Sequence, residues 1–129
     1  MSRVVDAHAL IWHLTSDKKL GEIARRHLEL TDQGETISII PTIVLAELMY
    51  TLEKKGELSK FNDILTKFLD SPAYVIYPLD YYILEQLPNF TLLEDIHDRI
   101  IVATAYISNC PLLSNDKKIR DSGYVDVFW

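Results

Sequence analysis

The sequence predicts an α/β fold built on a mainly parallel sheet covered by helices on both faces. Two observations predict it. Short β-branched or apolar runs alternate with stretches of helical period from one end of the 129-residue chain to the other, a pattern that needs crossover connections between parallel strands. Acids also follow two of those short runs, in VVD and LLSND, and the carboxyl ends of strands are where open α/β sheets bind ligands.

The elements follow in order. Val4 and Val5 make a brief buried strand ending in Asp6, and AHALIWHLT reads as a short helix. GEIARRHLEL sets Ile23, Ala24, Leu28 and Leu30 at roughly helical spacing. TISII, Thr36 to Ile40, is a strand by its β-branched content. Pro41 stands at the start of PTIVLAELMYTLEKKG and Gly56 just past its end, the asymmetry of a helix start and stop. Ser59 is placed to cap SKFNDILTKFLD, in which Phe61, Ile64, Leu65, Phe68 and Leu69 form one stripe. YVIY, Tyr74 to Tyr77, is a strand; Asp80 leads into the short helix YYILEQL, which Pro88 closes. LEDIHDRIIVATA begins a longer helix that lasts to about Asn109, PLLS is a strand, Asp116 to Asp121 a helical turn, and VDVFW a final strand.

No Pro/Gly/Ser-rich stretch, repeat or low-complexity segment interrupts this order, so residues 1–129 are expected to form one domain. A net charge of −6 excludes broad clamping of nucleic acid by Lys and Arg. It does not exclude a nuclease whose metal ions supply the local positive charge, and it suits a basic partner. Cys110 is the only cysteine and has no internal disulfide partner, and MSRVVDAHAL lacks the apolar core of a signal peptide; a cytoplasmic setting is expected. Ile39 to Leu52, broken by Glu47, is shorter than the roughly 20 residues that span a bilayer.

Four acids carry the chemistry, and each has a structural alternative. Asp6 lies at a strand end, or simply caps the next helix. Glu47 has Ile43, Val44, Tyr50 and Thr51 as helical neighbours, so it is either a costly charge amid apolar groups or a solvent-facing residue of an amphipathic helix. Asp95 and Asp98 stand three apart at a helix start; one suffices as the cap, which leaves Asp98 available to point inward. Asp116 repeats the strand-end position, with Ser114 able to orient it; alternatively it fills a turn or cap beside Asn115.

In combination these acids converge if the sheet is parallel. Carboxylates that share a site raise one another's pKa unless a cation neutralises them, and hard oxygen donors select Mg2+ or Mn2+. Such an ion activates water for attack on phosphorus and stabilises the leaving oxygen. No competing chemistry is visible: Cys110 has no His nearby in sequence, there is no Gly-rich phosphate loop, CxxC or HExxH, and His8, His13 and His27 are scattered and read as non-catalytic.

VVDAHALIW, IIPTIVLAEL, HDRIIVATA and LLSND, in this order and at these separations, resemble the four acidic motifs of the PIN-domain ribonuclease family, and most closely the VapC-type toxins of type II toxin–antitoxin modules. The resemblance covers essentially the whole chain. It implies a three-layer α/β/α sandwich with about five strands, and a role for Asp6, Glu47, Asp98 and Asp116 in holding Mg2+ or Mn2+ and positioning the attacking water. It also implies support of the acids by Ser114, and Asp95 as cap or auxiliary ligand. An RNA substrate, a homodimer and an antitoxin with a basic tail follow from the same resemblance. Trp12, Tyr50, Phe61 and Leu65 are then candidates for the protein–protein surfaces, core packing being the alternative.

Two other readings stay open from the sequence. One is a non-toxin PIN nuclease of RNA processing or decay. The other is a catalytically inactive metal-binding interaction domain of receiver-like or scaffold type, although this chain has only Asp6 at its first strand and carries its middle acids on predicted helices.

Overall fold

The computed structural model describes residues 1–129 as a five-stranded parallel sheet with seven α-helices. The strands are β1 (Ser2–Val5), β2 (Ile37–Pro41), β3 (Tyr74–Tyr77), β4 (Leu112–Leu113) and β5 (Val127–Phe128), in the spatial order β3-β2-β1-β4-β5. The helices are α1 (Ala7–Leu14), α2 (Glu22–Asp32), α3 (Thr42–Lys54), α4 (Phe61–Asp70), α5 (Tyr81–Gln86), α6 (Ile96–Ser108) and α7 (Lys117–Ser122). Crossovers between parallel strands are right-handed. The chain winds from β1 through β2 to β3 in one direction and then returns past β1 to β4 and β5, so the helices of the two halves cover opposite faces. The predicted α/β sandwich is therefore present.

β1 is central because it has no choice of edge: Val4 and Val5 are fully buried, and the strand pairs Val4 with both Ile39 and Leu112. α6 packs its apolar stretch onto β1 and β2, with every residue from Ile100 to Ala105 buried. Thr104, the one polar side chain there, satisfies its hydroxyl on the Ile100 carbonyl one turn back. Asp32 ties the other side together. It accepts from His13 Nε2 (2.8 Å) and the Tyr74 hydroxyl (2.5 Å), with Lys67 at 3.6 Å. Burial alone would raise its carboxyl, but these partners outweigh it and hold the group below its ordinary value.

Three local expectations need correction. Ser59 is not a cap: Leu58–Lys60 form a 3-10 turn that runs straight into α4, where the helix start has no side-chain cap. Glu57 pairs with Lys60 instead, and an in-line 3-10 turn already supplies the backbone bonds that a capping hydroxyl would make. Leu69 is 72% exposed, so the α4 stripe narrows to Phe68, buried, with Phe61, Ile64 and Leu65 partly covered. The second strand begins one residue late and includes Pro41, which is buried and serves as the N-cap of α3. Trp12 joins Phe61 and Leu65 in packing against the core, whereas Tyr50 is exposed beneath Lys54.

The packing sets a stability contrast. Leu113→Ala, at a fully buried position, is expected to cost about 2–5 kcal/mol, and Leu69→Ala to stay within about 0.5 kcal/mol of wild type, both measured by urea denaturation.

Candidate functional site

The strand order makes β1 and β4 the point where the chain reverses its direction of travel across the sheet, and the crevice outside such a point is the preferred ligand position of open α/β sheets. Asp6 directly follows β1 and Ser114 directly follows β4. Their backbones are already joined, since the Asp6 N–H donates to the Leu113 carbonyl at 3.1 Å. The Ser114 hydroxyl then donates to Asp6 Oδ2 at 2.6 Å, and Asp6 Oδ1 accepts from the Ala7 N–H at 2.6 Å. Asp6 thus caps α1 while standing at the carboxyl end of β1. It is only 9% exposed. Burial raises its pKa, the two hydrogen bonds and His8 draw it back, and Asp116 pushes it up again.

Ser114 orients more than one acid: its oxygen also accepts from the Asp116 N–H at 3.1 Å. Asp116 caps α7 through Oδ1, which accepts from the N–H groups of Lys118 (2.8 Å) and Ile119 (3.2 Å), leaving Oδ2 without a protein partner. Asp95 caps α6 by accepting from the His97 N–H at 2.7 Å. That frees Asp98, one turn on and half-buried, from any capping duty.

The Asp98 carboxylate makes no hydrogen bond or ion pair within the chain. The neighbouring Arg99 is turned to the Leu93 carbonyl, to which its Nε–H donates at 2.5 Å. Burial first, and then the charges of Asp116, Asp95, Asp6 and Glu47, push the Asp98 pKa up to about 6. Glu47 reaches the same field from α3. Its carboxyl is raised by burial and by Asp6 and Asp95, partly offset by His97, whose Nδ1 lies 2.8 Å from Glu47 Oε1.

All four candidate acids, with Asp95 and Ser114, therefore gather at the carboxyl edge of the sheet. Asp95, Asp98 and Asp116 line a cleft of about 400 Å³ together with Glu94, Lys117 and Lys118, while Asp6 lies buried and Glu47 stands outside the cleft wall. No three His, Cys, Asp or Glu side chains close on a common ion position. Like charges that repel, with Asp6, Asp95 and Asp116 held by local hydrogen bonds and Glu47 by His97, account for that spread. The donor chemistry fits a hard divalent cation: every donor is a carboxylate oxygen, and Asp98 has no other source of compensation.

The sequence reading missed three of these residues. His97 adjoins Asp98 in the first turn of α6, but its partner Glu47 lies 50 positions earlier, on α3. Lys117 and Lys118 directly follow Asp116, a signal that was available as a pair of cations beside a candidate ligand.

A five-stranded parallel sheet with carboxylates gathered at its switch point defines an α/β domain with an acidic site at the carboxyl edge of its strands. The chain belongs to the PIN-domain family: the family model for the PIN domain matches residues 3–123. Proteins of this family are nucleases and generally use divalent metal. No curated protein matches the sequence.

Solved structures share the fold. VapBC2 from Rickettsia felis, bound to a DNA fragment from their promoter, superposes with a TM-score of 0.75 at 19% identity, over 100% of this chain and 99% of that one. A toxin–antitoxin complex from Klebsiella pneumoniae gives 0.70 at 21% identity, covering 98% and 96%. FitAcB from Neisseria gonorrhoeae gives 0.70 at 18% identity, covering 100% and 97%.

The raised Asp98 pKa has a testable sign. An unfolded carboxyl ionises near its ordinary value of 3.8, the native one near 6, so the metal-free protein loses stability as pH rises through that window. A bound divalent cation cancels the loss. Mn2+ is expected to raise the Tm more at about pH 7.5 than at about pH 5, and Asp98→Asn to flatten both the pH dependence and the Mn2+ effect in thermal denaturation.

Proposed function

We propose that this protein is a divalent-metal-dependent endoribonuclease that hydrolyses RNA phosphodiester bonds as the toxin of a type II toxin–antitoxin module. The observation that carries the proposal is Asp98, half-buried, unpaired and surrounded by Asp6, Glu47, Asp95 and Asp116. In that position a cation is the natural partner. Asp6, Glu47, Asp98 and Asp116 would hold Mg2+ or Mn2+, with Asp95 as an auxiliary acid. When bound there, such an ion would lower the pKa of water and offset the negative charge that develops during hydrolysis.

The chain's own residues do the remaining work. Ser114 and the Ala7 N–H fix the Asp6 carboxylate against rotation, and His97 holds Glu47 at the edge of the group. Lys117 and Lys118 bring cationic groups to the cleft wall, where a phosphate backbone would otherwise meet only negative charge. Lys117 is partly committed to Asp121, which leaves Lys118 as the freer of the two.

The toxin assignment is supported by the folds of the Rickettsia, Klebsiella and Neisseria toxin–antitoxin structures over nearly the full length of both chains. The acidic cleft suits a basic antitoxin tail. A cytoplasmic homodimer of one domain per chain completes the reading; no helix is long and apolar enough to cross a membrane. A small adjoining reading frame that encodes a DNA-binding fold with a basic tail distinguishes the toxin from a PIN nuclease of RNA decay.

Asp98→Asn and Asp6→Asn are expected to abolish cleavage and relieve growth arrest while the proteins stay folded, read by sequencing RNA ends after brief expression. Full cleavage by either purified variant overturns the proposal. Ser114→Ala leaves the acids in place but loosens Asp6, and is expected to lower activity about 10–100-fold.

A further inference from the structure

The opposite end of the sheet carries a second polar constellation. At the amino ends of β1 and β2, a cavity of about 360 Å³ is lined by Met1 and Arg3, by Thr36, and by Ile23, Arg26, His27 and Leu30 of α2. The α2 residues recur at helical spacing and so share one face. No acid lines this cavity. In a chain with 19 acids and 13 lysines and arginines, neither Arg3 nor Arg26 forms an ion pair.

Two of the three buried side-chain polar atoms without a hydrogen-bond partner lie on residues of this cavity, Arg3 Nε and His27 Nδ1. Orphans of this kind are rare and call for a partner. His27 is only 2% exposed, and its Nε2–H donates to the Ile37 carbonyl at 3.1 Å. Burial first, opposed by the Ile37 hydrogen bond and reinforced by the charges of Arg3 and the amino terminus, holds its pKa down to about 4, so the ring is neutral near pH 7 and Nδ1 carries a lone pair. Arg3 is held against the Phe128 ring at 5.2 Å and presents an unused Nε–H. One donor and one acceptor without partners therefore lie on residues of one cavity, together with two guanidinium groups that form no ion pair.

We infer that this cavity binds a phosphate monoester or inorganic phosphate, with Arg3 Nε–H donating to one phosphate oxygen and a proton shared between another oxygen and His27 Nδ1. Guanidinium groups match phosphate oxygens in geometry and charge. A carboxylate or an internal phosphodiester carries no proton at neutral pH and would set its lone pairs against that of Nδ1. A water fills only about 30 Å³ and leaves both arginines unneutralised. The site is remote from the acidic edge, and the inference does not depend on nuclease activity.

The test follows the Arg3 Nε–H and His27 imidazole resonances by NMR of the full chain in EDTA at constant ionic strength. Inorganic phosphate, 5′-AMP, and one short RNA carrying either a 5′-phosphate or a 5′-hydroxyl are the probes. Saturable shifts are expected with phosphate, 5′-AMP or the 5′-phosphorylated RNA; the tightest of these identifies the source. The 5′-hydroxyl RNA and acetate are expected to leave both resonances in place. Arg3→Gln should weaken binding about tenfold or more. Arg26→Gln, at an exposed position, weakens it several-fold and stands in should Arg3→Gln misfold; Asp98→Asn leaves it unchanged. No saturable shift with any phosphate, equal shifts with 5′-hydroxyl RNA or acetate, or unaltered binding in Arg26→Gln overturns the inference.

Discussion

The Ser114 hydroxyl donates to Asp6 at 2.6 Å, joining residues 108 positions apart around a carboxylate that is 9% exposed. A carboxylate so desolvated is costly unless its oxygens are satisfied. The Ala7 N–H and Ser114 satisfy one oxygen each. The first bond is local to the start of α1, and the second depends on β1 and β4 being neighbours in register, with Val5 beside Leu113. The central place of β1, the return crossover through α6 and the cap of α1 all meet at this carboxylate.

Around it the acids divide their duties. Asp95 and Asp116 satisfy helix N-termini, Glu47 has His97, and Asp98 has nothing but other acids. The protein keeps that unfavourable group in place with α6, whose buried stretch from Ile100 to Ala105 anchors the helix from below. Charge is also separated along the strands. Acids gather at their carboxyl ends, while Arg3 and Arg26 lie at the amino ends, although the whole chain is acidic.

Much of this was legible in the sequence. The alternation of short apolar runs with helical stretches is local, and it gave the parallel sheet; VVD and LLSND gave the strand-end acids because a strand and the residue after it are read together. Asp95 and Asp98 were separable by spacing alone, since a helix needs one cap. What failed were contacts that spacing does not encode. His97 finds Glu47 across two helices, Arg3 meets His27 through strand pairing and helix packing, and the Ser59 cap gave way to a 3-10 turn whose stability lies in its neighbours. Leu69 continued the α4 stripe in sequence, but the strip of α4 that the core covers is narrower than the apolar pattern.

Anomalous diffraction from crystals of the protein grown with Mn2+ tests the acidic edge most directly. A peak within coordination distance of Asp98, flanked by Asp6 and Asp116 carboxylate oxygens, is expected. A peak elsewhere, or none, from crystals of a preparation that still cleaves RNA contradicts a metal centre built on these acids.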